Sequence, residues 1–543
     1  MRSRPVSPSP RLPRRRVLAG LGAVAGASVL AACGEPGDAR PSAGEGKIEL
    51  WMREPLTLDP ALASTPNEFT ILDALFEPLV DVSADGLPTP AAAASWDVSN
   101  AGHTVTFKIR PEARWMTGEP LTADAFAWAW RRNLDPQIGG AFNYLLFPVR
   151  GARDYAYGLY NDPAVVAVGA PDDSTLSVGL AEPSPGFSAR VAAPIFYPLP
   201  EGEIRSYGST WTQPRRLRGN GQYQLVQWDQ GLGLTLFRNE HYWGDPGTFG
   251  EVVVRFPEED GSPLLAFRGG AVDVAPVSGA AYRSARGDDQ LRDRLRLFER
   301  GGSWFLVFNT AKPPWNRAEV RRALGMVLNR EEMAAAVFEE PTLPGWTIVP
   351  PSTLPREIAQ PGPDVDAARG LLSQAGFPDG QGLPPLRFTY HTTDTWKRLT
   401  AYLAATWRET LGIEVQPDER SWRDFLSFTD DPGDFDCYRA GWTSEFADPA
   451  NWYDTLWLSE VDYLGARWRN TEFDRHVQEA GAATDSETRR NAYLAADAVL
   501  QAEQPAIGIG HHADAYLLHP RITGFGIDPV TGAIDLRAVI AGN

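Results

Sequence analysis

Cysteine is nearly absent from this sequence: Cys33 and Cys437 are the two among 543 residues. A disulfide framework is excluded, and the fold must rest on a buried core. Long apolar runs are scarce as well. Past residue 33 no segment reaches the roughly 18 uncharged apolar residues of a membrane-crossing helix. Catalytic signatures are missing, with no phosphate-binding Gly-x-x-x-x-Gly-Lys, no Gly-x-Ser-x-Gly elbow and no His-Glu-x-x-His. The pair His511-His512, with Asp514 nearby, offers metal-ligand residue types. Adjacent residues of a strand point to opposite faces, however, and no ligand spacing is completed. A structural or solvent-facing role is expected for the pair, and neither metal nor cofactor. Basic charge is also in deficit, at 51 Lys and Arg against 69 Asp and Glu, for a net charge of −18.

What is present begins at the N-terminus. Six arginines and no acid lie between Met1 and Arg16, followed by an uncharged stretch from Val17 to Leu30-Ala31-Ala32-Cys33. This is a basic region, an apolar region and small residues before a cysteine, and it resembles a bacterial lipoprotein signal. The resemblance implies cleavage after residue 32 and a diacylglycerol thioether on Cys33. An apolar region of about 15 residues is short of the ~20 needed to span a bilayer. Arg14-Arg15-Arg16-Val17-Leu18 also resembles a twin-arginine export motif, with Pro13 where Ser or Thr is usual, so the export route stays open. Loss of six arginines moves the net charge to about −24. Such a surface repels nucleic acid and anionic lipid, leaving the lipid on Cys33 as the route to the membrane. Cys437 is then the one remaining thiol, so no intramolecular disulfide forms.

Residues 33–46, rich in Gly, Pro, Ala and charge, read as a flexible tether. Lys47-Ile48-Glu49-Leu50-Trp51 alternates as a half-buried strand does, and a globular body starts there. Some 500 residues with 43% apolar content suggest two or three domains. Thr122-Ala123-Asp124 is an N-cap signal before a helical run that stops at Asp135-Pro136. Pro363-Asp364 opens another run, which ends at Gly376. These alternate with strand-like runs such as Glu251-Val252-Val253-Val254-Arg255-Phe256, so the class is α/β.

A series of blocks then follows in fixed order: Thr57-Leu58-Asp59-Pro60, Leu75-Phe76-Glu77-Pro78-Leu79-Val80, Val105-Thr106-Phe107-Lys108-Ile109-Arg110 and Ala113 through Phe126. Asn220-Gly221-Gln222-Tyr223, Arg238 through Gly244, Phe308-Asn309-Thr310 and Val320-Arg321-Arg322-Ala323-Leu324 continue it. Together they resemble the family 5 solute-binding proteins, the dipeptide- and oligopeptide-binding lipoproteins of ABC importers. One departure is Thr117-Gly118, where Asp-Gly is usual. The resemblance implies a two-lobed, periplasmic-binding-protein-like α/β fold (a Venus flytrap) with an extra domain on the first lobe. Mapped here, the first lobe comprises 47–80, 196–285 and 509–543, the extra domain 81–195 and the second lobe 286–508. Ligand is expected between the lobes, where closure removes water and strengthens polar contacts.

The resemblance also implies site residues. In Arg439-Ala440-Gly441-Trp442-Thr443-Ser444-Glu445, the strand around Gly441 and Thr443 is expected to offer backbone groups to a peptide main chain, and Glu445 to hold the α-ammonium. An ammonium taken out of water needs a charged partner. The family's usual acid there is Asp, and Glu adds a methylene. Trp442 and Trp422 stack on ligand or belong to the core. Arg439 meets the ligand or orients the loop, and Tyr144 resembles a cleft-lining tyrosine. Between Trp422 and Arg439 the basic residues reduce to Arg423, so a carboxylate clamp in the acidic run Asp430–Asp434 is not expected.

The reading is a non-enzymatic receptor, monomeric and lipid-anchored at the outer face of the cytoplasmic membrane, that passes peptides to an ABC permease. The family includes binders of other solutes, so membership does not fix the ligand. An oligosaccharide receptor, using some of the 18 tryptophans for stacking, and a tethered hydrolase are the alternatives.

Overall fold

The structure is a computed structural model, and it describes residues 46–542 except 84–86, 185, 246, 258–260 and 484. Cys33 and the signal-like segment lie outside the described residues. Among those described, no helix is long and apolar enough to cross a membrane.

The alternation at Lys47–Trp51 does form a strand, parallel to Glu251–Arg255 and touching Val274–Val277. It belongs to one large mixed sheet. From one edge the order is Val415–Arg420, Leu386–His391, Cys437–Thr443, Leu295–Phe308, Ala506–Leu518, Val274–Val277, Lys47–Trp51, Glu251–Arg255, Gly233–Arg238 and Tyr223–Asp229. Thr342–Pro344 pairs off this path with Ala506–Leu518. The expected helices are Ala123–Asn133 and Val365–Gln374, the second capped by Asp364, whose carboxylate accepts from the Ala367 N–H.

Two strands carry the sheet from one lobe to the other. Leu295–Phe308 and Ala506–Leu518 run antiparallel, and their register breaks between Glu299 and Ser303. Before the break Leu295–Glu299 faces Leu517–Ala513; after it Ser303–Val307 faces His511–Ala506. A bulge of this kind bends a strand and locally increases its twist. The buried clusters divide at the same place. Two hold residues 48–291 together with 515–539, and two hold residues 305–509.

This packing departs from the expected boundaries at 285/286 and 508/509. Leu291 and Leu295 pack with Val274's neighbours in the first lobe, whereas Ile509 packs with Leu306 in the second. We propose that the lobes part at 300–302 and 512–513. The expected extra domain, 81–195, holds a four-stranded antiparallel sheet in the order Ala93–Ser99, Thr104–Ile109, Thr175–Gly179, Val168–Asp172. Its core is continuous with that of the first lobe: Trp130 donates its indole N–H to the Phe196 carbonyl at 2.8 Å and meets that ring edge-on at 5.0 Å.

Candidate binding cleft

Two elements bring the cleft residues into place. The helix Pro66–Leu75 starts with a capping box, in which the Thr65 hydroxyl accepts from the Glu68 N–H while the Glu68 carboxylate accepts from the N–H groups of Thr65, Ser64 and Leu56. Glu68 is almost fully buried, and these donors satisfy its charge. The helix thereby points Asp73, and the chain leaving it points Phe76 and Glu77, into a cavity of about 730 Å³. The second element is the loop after Cys437–Thr443. The Ser444 N–H donates to the Gly301 carbonyl at 2.6 Å, and the Trp452 indole N–H donates to Ser444 Oγ at 2.8 Å. Asn451 Oδ1 accepts from both the Trp442 indole and the Glu445 backbone N–H. These bonds fix the backbone on which Glu445 stands.

The cavity takes walls from both lobes: Asp73, Phe142, Tyr144, Arg190 and Arg537 on one side, Thr443 to Ala447 on the other, with Arg300 and Gly301 of the crossing strand between. Among the described residues six carboxylates line it. Asp73 accepts from the Tyr197 hydroxyl at 2.6 Å and Glu77 from the Tyr242 hydroxyl at 2.9 Å. Asp81 and Asp535 both pair with Arg537, at 2.6 and 3.0 Å. Asp528 accepts from Thr531 and from the Val530 N–H. The Glu445 carboxylate has no hydrogen bond or ion pair among the described residues.

Burial pushes the Asp73 carboxyl up to about 8, partly countered by the Tyr197 hydroxyl, and that of Glu77 to about 7, partly countered by the Arg537 charge and then by the Tyr242 hydroxyl. Burial disfavours the charge of Arg537 too, but Asp535, Asp81 and Glu77 outweigh it and hold the guanidinium firmly protonated. Burial and then the nearby Glu445 charge raise the Tyr144 phenol to about 12.

Of the residues expected from sequence, Glu445, Thr443 and Tyr144 line this cavity, and Gly441, Trp442, Arg439 and Trp422 do not. Gly441 lies beneath Trp304, and a Cβ there would come within 2.3 Å of that ring. Trp442 packs edge-on against Tyr463 at 5.4 Å. Arg439 is buried behind the sheet: it bonds His391 and lies 4.3 Å from the Phe425 ring and 5.8 Å from that of Trp422. Burial lowers Arg439 to about 10 and, with Arg439 beside it, His391 to about 4. Trp422 is 54% exposed at the start of the helix Trp422–Asp430. In the acidic run, Asp434 pairs with Lys312 at 2.8 Å. His511 and His512 take opposite faces of their strand: His511 bonds Ser303 Oγ at 2.6 Å, and His512 lies 4.4 Å from the Trp304 ring. Among the described residues no group of three His, Cys, Asp or Glu could hold a metal ion.

Sequence reasoning missed Asp73, Glu77, Arg190, Arg300 and Arg537. Two of these left a visible signal, since Asp73 and Glu77 are acids inside the apolar run Ile71 to Val80. Arg190, in the short helix Phe187–Arg190, belongs to no motif.

Comparison with known proteins bears on what this cleft serves. The family model described as bacterial extracellular solute-binding proteins, family 5 Middle, matches residues 88–463. The periplasmic oligopeptide-binding protein OppA of Escherichia coli (strain K12) is 28% identical over 484 residues, covering 87% of this chain and 88% of its own. The probable deoxycholate-binding periplasmic protein YgiS of the same organism is 30% identical over 484 residues, covering 87% and 89%. Among solved structures, the unliganded open form of the murein tripeptide binding protein MppA aligns with 92% of this chain and 98% of its own, at 25% identity and a TM-score of 0.83. Haemophilus influenzae OppA in complex with RPPGFSPFR aligns with 92% and 99%, also at 25% identity, with a TM-score of 0.55. At equal identity and near-equal coverage, this structure superposes better on the open, unliganded form.

Proposed function

The chain belongs to the bacterial extracellular solute-binding proteins of family 5, and from that premise we propose that it is a peptide receptor of an ABC importer. It captures peptides outside the cytoplasmic membrane, held there by lipid on Cys33, and delivers them as a monomer to permease subunits; it performs no chemistry on them. The observation that carries the peptide reading is Glu445. Among the described residues it is the one carboxylate of the cavity wall with no partner of its own, on a loop whose backbone is fixed by Asn451 and Gly301. A free N-terminal ammonium supplies what this carboxylate lacks. Relatives named for oligopeptides and for a murein tripeptide support the same class of ligand. The oligosaccharide alternative draws less support, because no tryptophan lines the cavity among the described residues.

The test is a four-way calorimetric comparison of wild type and Glu445→Gln with free and N-acetylated forms of one peptide. Either change removes half of an ion pair, an effect of about 2–5 kcal/mol in desolvated pairs, or roughly 30-fold and upwards in affinity. Both together should cost less than the sum, since they act on one contact. Equal binding of free and N-acetyl peptide to wild type would refute the assignment.

A further inference from the structure

Three arginines line the cavity, and their partners differ. Arg300 donates to Asp514 at 2.8 Å and to the carbonyls of Pro529 and Val530. Arg537 pairs with Asp81 and Asp535. The guanidinium of Arg190 makes no hydrogen bond and no ion pair among the described residues. Its Nε is sealed from solvent without an acceptor, and the group lies 4.3 Å from the ring of Phe446. Burial lowers its proton affinity; the charges that oppose this are those of Asp448, Tyr144 and Glu445. Asp448 is committed elsewhere, to Arg489 at 2.7 Å, and Tyr144 is neutral at physiological pH.

Among the described residues the cavity therefore presents one unpaired carboxylate and one unpaired guanidinium, and Phe446, the ring beneath that guanidinium, follows Glu445 directly in the chain. A half-buried cation whose Nε is sealed from solvent is costly without acceptors, and the described residues offer it none. A planar guanidinium held against a ring keeps its outer N–H groups available as a fork that matches a carboxylate. We propose that Arg190 receives a ligand carboxylate close to the N-terminal ammonium, so that the receptor favours peptides with Asp or Glu among their first two residues. This inference rests on the peptide reading, and it adds a specificity determinant contributed by the first lobe.

The test uses isosteric tripeptide pairs, Glu-Ala-Ala against Gln-Ala-Ala and Ala-Glu-Ala against Ala-Gln-Ala, titrated calorimetrically into wild type, Arg190→Gln and Arg190→Lys. Wild type should prefer the acidic member of at least one pair by about 10- to 100-fold, the range for a hydrogen bond to a charged group. Arg190→Gln should abolish the preference, the acidic member losing about 10-fold or more in affinity relative to the amide member. Arg190→Lys keeps the charge but not the fork and should retain part of the preference, which decides the matter if the Gln variant folds poorly. Loss of affinity for acidic and amide peptides alike would overturn the proposal and make Arg190 a latch that pairs with Glu445 on closure. Wild type binding both members equally overturns this inference alone, whereas wild type binding no peptide refutes the peptide reading and this inference with it.

Discussion

Asp73 offers a direct measure of how strongly the cavity wall penalises charge. Its carboxyl is raised to about 8, against about 3.9 for a free aspartate. The native state thus holds a proton that the unfolded chain has released by pH 5. The resulting stability is complete below about pH 4 and is lost as pH rises through about 8. Integrating proton uptake between pH 5 and 8 gives roughly 3.5 kcal/mol for the full displacement. Asp73 faces an open cavity rather than a sealed core, so water screening reduces this to about 1–3 kcal/mol. Asp73→Asn keeps the oxygen that accepts from Tyr197 and cannot ionise. The variant should match wild type near pH 5 and exceed it at pH 8.5. For about 500 ordered residues the unfolding entropy is near 1 kcal/mol per degree, so the gain is about 1–3 °C in Tm. Differential scanning fluorimetry of ligand-free protein across pH 5–8.5 reads this. Removing the charge also relieves Asp528, to which Asp73 is electrostatically coupled, and that adds in the same direction. A difference in Tm that does not change with pH, or one that favours wild type at pH 8.5, would refute the reasoning.

The crossing strand gives a second expectation. A Cβ at Gly302 would fall 2.3 Å from His512 Nδ1, so Gly302→Ala should cost about 1–3 kcal/mol as the ring is forced off Trp304. Gly370→Ala has open space inside the helix Val365–Gln374 and should instead stabilise by about 0.5–1 kcal/mol, the paired melts giving opposite signs. At the N-terminus, Cys33→Ser should leave the protein in the soluble fraction after cell lysis, because stable anchoring takes more than one acyl chain or signal and the mature surface is acidic. Membrane retention of that variant after a salt wash, with its signal removed, would count against the lipid anchor.

Much of the fold was legible where local signals agree with the packing. Lys47–Trp51 alternates because one face is buried, and the helix Val365–Gln374 is bracketed by its Asp364 cap and by Gly376 at φ 84°. The lobe boundaries were not legible. Leu295–Phe308 is one unbroken strand of 14 residues that packs its first half against Val274–Val277's side and its second against Cys437–Thr443. Hydropathy does not register a change of partner, and the sole trace is Gly301-Gly302. At the cavity, the block around Glu445 that the resemblance singled out contributes Thr443 to Ala447 to the wall. Arg190 was not legible, because what distinguishes it is the absence of a partner, a property of the folded surroundings that no residue pattern carries.

The position of Glu445 also bears on how an open cleft begins to bind. Its loop is hooked to the crossing strand through Ser444 N–H and the Gly301 carbonyl, and Gly301 is tied in turn to the Pro529 carbonyl of the first lobe at 2.7 Å. Thr353 and Trp452 hold the Ser444 hydroxyl from the second lobe. A group bonded to both lobes at their seam lies near any axis about which they turn, and such a group is displaced least by the turn. Glu445 and the Arg190–Phe446 contact are then already assembled in the open arrangement. On the proposed pairing of Glu445 with a ligand's ammonium, binding would start at that end, before the lobes close.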